Sequence, residues 1–207
     1  SAASDVYKRQ MQKACEVAGK EPIFRILPYQ KKKAGIVTTG SEVYYHRIED
    51  KFTPVVIEKL KECGVTEVKQ IQCNDDHEMI TEAIQTLIED GSDLIVCTGG
   101  MSVDPDDRTP LAIKNACTEV VTYGAPVLPG AMFMLAYCEK EGRQIPVMGL
   151  PGCVMYAKRT IFDLVLPRIM CDEKLHEKDF RLLGQGGLCL SCPVCTFPNC
   201  GFGKGGY

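Results

Sequence analysis

Apolar and polar residues alternate in blocks along the chain. "GIVTTG" at 35–40 is an apolar run closed by a turn and predicts a short buried strand. "TPVVIEKLKECG" at 53–64 predicts a helix, with Thr53 as N-cap, Pro54 at the first helical position and Gly64 as the stop. "EVKQIQC" at 67–73 predicts the next strand. In "DDHEMITEAIQTLIEDG" the residues Met79, Ile80, Ala83, Ile84, Leu87 and Ile88 share one helical face, behind an acidic N-terminus and ahead of Gly91. "DLIVC" at 93–97 predicts a third strand, and Thr109 with Pro110 opens a helix that runs to about Cys117. "TEVVTYG", "AMFMLAYCE" and "IPVMGL" predict three further strands, and "GCVMYAKRTIFDLVLPRI" a single closing helix. Such alternation predicts the α/β class: a three-layer, doubly wound, mostly parallel sheet with helices on both faces.

Composition narrows the partners. The chain has 207 residues, 45% hydrophobic and 25% charged, enough for one buried core. Its net charge is −3 and its only basic block is "KKK" at 31–33, so the footprint of a nucleic-acid binder is missing. No apolar run approaches the roughly 18–20 residues of a membrane span, and no signal-peptide core opens the chain, so no membrane role and a cytoplasmic location are expected. "DVYKRQ" at 5–10 is what the DNA GATGTGTATAAGAGACAG encodes, which resembles a transposon end used as a sequencing adapter. Residues 1–10 are therefore expected to lie outside the natural gene, with 11–33 as the remnant of an N-terminal region or linker, 34–171 as the folded domain and 172–207 as a linker and cysteine-rich tail.

The candidate chemistry gathers at strand ends. "TTGSE" at 38–42, "CNDD" at 73–76 and "TGGMSVDPDD" at 98–107 each place small or acidic residues behind an apolar run. In open α/β sheets this is the ligand-binding edge. Glycines let backbone N–H groups curl around a phosphate, and carboxylates can hold Mg²⁺. Singly, these residues equally well cap helices and decorate loops. Composition and spacing alone lead to an α/β enzyme that binds a phosphate compound.

The sequences "VTTGSEV", "NDDHEMI", "TGGMSVDPDDRTP", "VLPGAMF" and "MGLPG", in this order, resemble the molybdopterin-binding domain shared by molybdopterin adenylyltransferases, molybdopterin molybdenumtransferases and the two ends of gephyrin. The resemblance covers about residues 34–170, and its most specific part is "TGG" followed by Asp107 and Thr109. It implies that Asp75 and Asp107 are catalytic carboxylates that position Mg²⁺, and that Glu42 is the acidic residue after the first strand. Gly99 and Gly100 would cradle the cofactor, and Pro151 and Gly152 its phosphate. Thr39, Gly40, Ser41, Thr98, Ser102, Thr109, Pro129 and Gly130 are the further candidate contacts.

The implied cofactor is molybdopterin or its adenylated form, and the implied activity is molybdenum insertion from molybdate. A molybdopterin adenylyltransferase and a non-catalytic sensor or carrier are the alternatives. The resemblance also implies a homo-oligomer, with a molybdoenzyme or cofactor-synthesis enzyme as partner. Molybdenumtransferases usually show "PGKP" where this chain has "PGAM" at 129–132, and "GLPGNP" where it has "GLPGCV", so a lysine and an asparagine are replaced by Ala131 and Cys153. The match is nonetheless closer to the molybdenumtransferase side.

Of twelve cysteines, eight are scattered through strand-like and helix-like segments and read as small hydrophobes. Cys189, Cys192, Cys195 and Cys200 are instead spaced CxxCxxCxxxxC in the tail. Four thiolates at that density suit a tetrahedral zinc ion or an iron–sulfur cluster, and spacing does not choose between them. His46, His77 and His176 are isolated in sequence and receive no role.

Overall fold

The computed structural model describes residues 2–22, 24–45 and 47–205. Helix α1 (Ala2–Ala18) exposes every side chain described in it, and the chain then runs without regular structure to β1 (Lys33–Thr39). A short helix α2 (Ser41–Tyr44) and α3 (Phe52–Glu62) precede β2 (Glu67–Cys73). Then come α4 (His77–Glu89), β3 (Leu94–Thr98), α5 (Thr109–Ala116), β4 (Glu119–Tyr123), β5 (Met134–Lys140) and β6 (Arg143–Leu150). A 3₁₀ turn (Gly152–Met155), α6 (Ile161–Met170) and α7 (Glu177–Leu183) complete the order.

The sheet has six strands in the order β2-β1-β3-β6-β5-β4. β2, β1, β3 and β6 run parallel, so their carboxyl ends share one edge, while β5 and β4 continue antiparallel. β3 is buried along its whole length, which explains the unbroken apolar run "LIVCT". One core lies under α3 and α6 and takes in Leu60, Phe133, Phe162 and Leu166; the other lies under α4 and α5 and takes in Ile80, Ile84, Leu87 and Ile113. Each such side chain contributes about 1.5–3 kcal/mol through burial. Among the described residues no helix is long and apolar enough to cross a membrane.

Three local expectations are corrected. The predicted closing helix 152–169 is two pieces, because Thr160 starts a new helix: its side chain accepts from Phe162 N–H, and Asp163 accepts from Thr160 N–H in return. Thr53 is not an N-cap. The helix begins at Phe52, two residues before the expected Pro54, and Asp50 Oδ1 accepts from the N–H groups of both Phe52 and Thr53 at 3.0 Å. The Thr53 hydroxyl turns inward to Thr38 Oγ1, 2.8 Å away. Of the scattered cysteines, Cys63, Cys73, Cys97 and Cys138 are buried as small hydrophobes, whereas Cys15 is exposed and Cys117, Cys153 and Cys171 are half-buried.

Candidate functional site

At the ligand edge β1, β3 and α5 close on one another. Gly99 has φ 86°, and a Cβ there would stand 2.3 Å from Thr39 O; at Gly100 (φ 55°) it would stand 2.7 Å from Thr109 Oγ1. The "TGG" glycines are therefore demanded by the approach of β1 and α5, before any ligand is considered. Thr109 Oγ1 donates to Gly99 O at 2.9 Å and lies 3.2 Å from Thr39 Oγ1, so these predicted residues form one buried knot.

Two aspartates are braced in the same manner. Asp75 Oδ2 accepts from Ser41 N–H and Ser41 Oγ, both at 2.8 Å, which ties the loop after β2 to the loop after β1. Asp107 Oδ2 accepts from Ser102 N–H and, at 2.7 Å, from Ser102 Oγ, closing the loop after β3 on itself. Burial, and next the Asp107 charge, raises the pKa of Tyr123 at the end of β4. Asp76 caps α4 by accepting from Glu78 and Met79 N–H, so of the neighbouring pair only Asp75 bridges to the first loop. Glu42 stands exposed on α2.

Beside these loops lies a cavity of ≈560 Å³ at the carboxyl ends of β1 and β3. Thr39, Thr98 and Gly99 line it; Glu42, Asp75 and Asp107 do not. Thr98 is wholly buried, and among the described residues its Oγ1 is the one buried side-chain nitrogen or oxygen without a hydrogen-bond partner. Sequence reasoning missed Asp50, Phe52 and Met155 in the same wall. An acidic residue just before a helix was the available signal for Asp50. Burial alone would raise the Asp50 pKa, but hydrogen bonds from Thr53, Phe52 and Gln70 hold it below the usual carboxylate range.

The remaining candidates frame this edge. Pro151 is buried at the end of β6 and accepts from Val154 N–H in the 3₁₀ turn that carries Met155 into the cavity. Gly152 is exposed, and burial raises the Cys153 thiol above its ordinary value. Pro129 O accepts from Ile161 N–H, and Gly130 is buried beside it, so their loop leans on the start of α6. Cys189, Cys192, Cys195 and Cys200 line a separate cavity. Among the described residues no three His, Cys, Asp or Glu side chains converge closely enough to hold a single metal ion. His77 and His176 sit at the starts of α4 and α7, and His46 lies outside the described residues.

A parallel-stranded edge with a roomy cavity, an unpaired hydroxyl and serine-braced carboxylates nearby defines an α/β domain for a small polar ligand. Residues 35–170 match the family described as "Probable molybdopterin binding domain", and the chain belongs to that family. Among curated proteins, a CinA-like protein of Mycobacterium tuberculosis is 35% identical over 85 residues, 41% of this chain and 20% of its own length. A CinA-like protein of Mycobacterium avium is 34% identical over 95 residues, 46% and 22% respectively, so the match spans about a fifth of these relatives. Among solved structures, the tungsten cofactor synthesizing protein MoaB from Pyrococcus furiosus superposes with TM-score 0.56 at 19% identity, covering 70% of this chain and 99% of that one. The molybdopterin biosynthesis Mog protein from Mycobacterium ulcerans gives 0.53 at 18%, covering 69% and 99%. Those likenesses carry the fold.

Proposed function

We propose that the domain binds molybdopterin, or its adenylated form, in the cavity at the carboxyl ends of β1 and β3, and acts in molybdenum insertion. What supports this reading is the family match together with the cavity at the carboxyl ends of β1 and β3, walled by Thr39, Thr98 and Gly99; Thr98, wholly buried behind that wall, keeps an unpaired hydroxyl that a side-chain turn toward the ligand would satisfy. Asp50, held ionised beside Phe52 and Met155, would accept the amino and ring N–H donors of a pterin laid against an apolar wall. The phosphate would extend toward the Gly99–Gly100 turn and the Asp75 and Asp107 loops. Relatives named for tungsten-cofactor and molybdopterin synthesis support cofactor assembly as the process.

Mg²⁺ fits this donor set only in part. Asp75 and Asp107 offer hard carboxylate oxygens, each oriented by one serine, but among the described residues too few ligands converge to hold the ion without substrate. Mg²⁺ commonly uses one or two carboxylates together with substrate phosphates, and there it would supply charge neutralisation. Molybdate would be the cargo, and a homo-oligomer that passes product to a molybdoenzyme completes the proposal. Ala131 and Cys153, where the family's lysine and asparagine are expected, favour a second reading as a carrier that binds without turnover.

Asp107→Ala tests the site, and Mg²⁺-dependent turnover of the wild type decides between the two readings. Loss of a charged hydrogen-bonding group should weaken molybdopterin binding about tenfold or more, with the thermal transition held because the side chain lies outside both cores. Binding without Mg²⁺-dependent turnover in the wild type would establish the carrier. Unchanged binding and turnover in the variant would remove Asp107 from the site.

A further inference from the structure

Beyond α7 the chain folds back onto the domain rather than trailing from it. Cys189 N–H donates to Leu128 O at 3.1 Å, Gly187 N–H to Gly201 O at 2.8 Å and Gly203 N–H to Gly187 O at 3.0 Å. Phe202 is 3% exposed and belongs to the core under α6, while Phe197 packs against that core with the Arg159 guanidinium 5.1 Å from its ring centre. Cys189 and Cys200 pack against the same core; Cys192 and Cys195 are exposed. All four are free thiols, and all four line one cavity of ≈370 Å³.

Four cysteines that line one cavity within twelve residues have the number and chemistry of a ligand set. A tetrahedral zinc ion with Zn–S near 2.3 Å would require its sulfurs within about 3.8 Å of each other. Among the described residues no three His, Cys, Asp or Glu side chains form a group that could hold a single ion. A cubane iron–sulfur cluster sets its thiolates at the corners of a larger body, which suits cysteines spread around a cavity wall.

We propose that Cys189, Cys192, Cys195 and Cys200 hold a four-iron, four-sulfide cluster in this cavity. Each thiol releases its proton to solvent as iron binds, and coordination adds ordering energy to the little that burial of Phe202 and packing of Phe197 give this glycine-rich segment. Through the Cys189–Leu128 hydrogen bond the cluster would brace the loop that carries Pro129 and Gly130. The inference rests on the tail alone and is independent of what the strand-end cavity binds.

The test uses the full chain, purified without oxygen and reconstituted with ferric and ferrous iron in equal amounts and with sulfide, which together supply the two ferric and two ferrous ions of the oxidised cluster without a further oxidant. Iron and acid-labile sulfide should reach about four each per chain, with broad visible absorption that bleaches on reduction. The double variant Cys192→Ser, Cys195→Ser should retain under a tenth of that iron, become cleavable by protease after about residue 186, and keep the far-ultraviolet circular dichroism of the wild type. The two exposed cysteines are chosen because serine there leaves the core intact. Stoichiometric zinc in place of iron, no iron after reconstitution, or equal iron in the variant would each overturn the proposal.

Discussion

At the scale of single residues, Thr98 makes a prediction whose two halves have opposite signs. A buried hydroxyl without a partner costs about 1–3 kcal/mol, and valine removes it with little change of shape. Thr98→Val should therefore stabilise the ligand-free protein by about 1 kcal/mol while weakening molybdopterin binding about fivefold or more. Calorimetry with and without ligand checks both. Equal affinity with raised stability would mean that the hydroxyl points at nothing the protein uses. Thr98 was legible as a strand-end residue of "TGG", but its missing partner was not, because satisfaction depends on what β1 and β6 bring alongside. Thr53 shows the reverse error: next to Pro54 it reads as a cap, yet Thr38 and Gln70 draw its hydroxyl inward and leave the capping to Asp50.

Between elements, the joint of α3 and α6 depends on charge. Lys59 Nζ donates to both oxygens of Asp163 at 2.7 and 2.9 Å, and Arg159 reaches Asp163 at 2.8 Å, with the Asp163 side chain only 4% exposed. Removing one partner of a buried pair leaves the other uncompensated, at a cost of about 3–5 kcal/mol. Lys59→Met should approach the lower end, since Arg159 remains, and the double change with Asp163→Leu should recover part of the loss. Chemical denaturation of the two variants measures this; additive losses would show that the pair is not coupled. The same joint explains why the closing helix was misread. The apolar residues of "CVMY" continue the pattern of "IFDLVL", so periodicity joined them, although the "TIFD" capping signal was present. β1 and β3 were legible because buried parallel strands need unbroken apolar runs, and the docking of the tail was not, because the isolated Phe197 and Phe202 that pack it follow no helix or strand period and the bond from Cys189 to Leu128 joins two backbones.

For the whole molecule, proton linkage should bound stability on both sides. Asp179 has competing influences: burial raises its pKa, but hydrogen bonds from His176 N–H and Arg168, with the Arg168 charge, leave it below the ordinary value, as Asp50 is left by its own donors. A carboxyl depressed in the folded state adds stability that is present above its unfolded pKa, near 4, and is lost as pH falls through the lower folded value. Buried thiols act at the other limb. Burial pushes Cys73 up to about 11 and raises Cys97 further. A group whose folded pKa is raised contributes stability fully present below its unfolded pKa, about 8.5 for a thiol, and lost as pH rises through the folded value. Unfolding free energy should thus be flat from about pH 5 to 8 and fall beyond each end. Cys73→Ala and Cys97→Ala together should flatten the alkaline limb while lowering the plateau through lost packing, whereas Asp50→Asn should change only the acid limb and the plateau. Urea titrations at each pH measure this, and an alkaline limb equally steep without the two thiols would assign the loss to tyrosines or lysines instead.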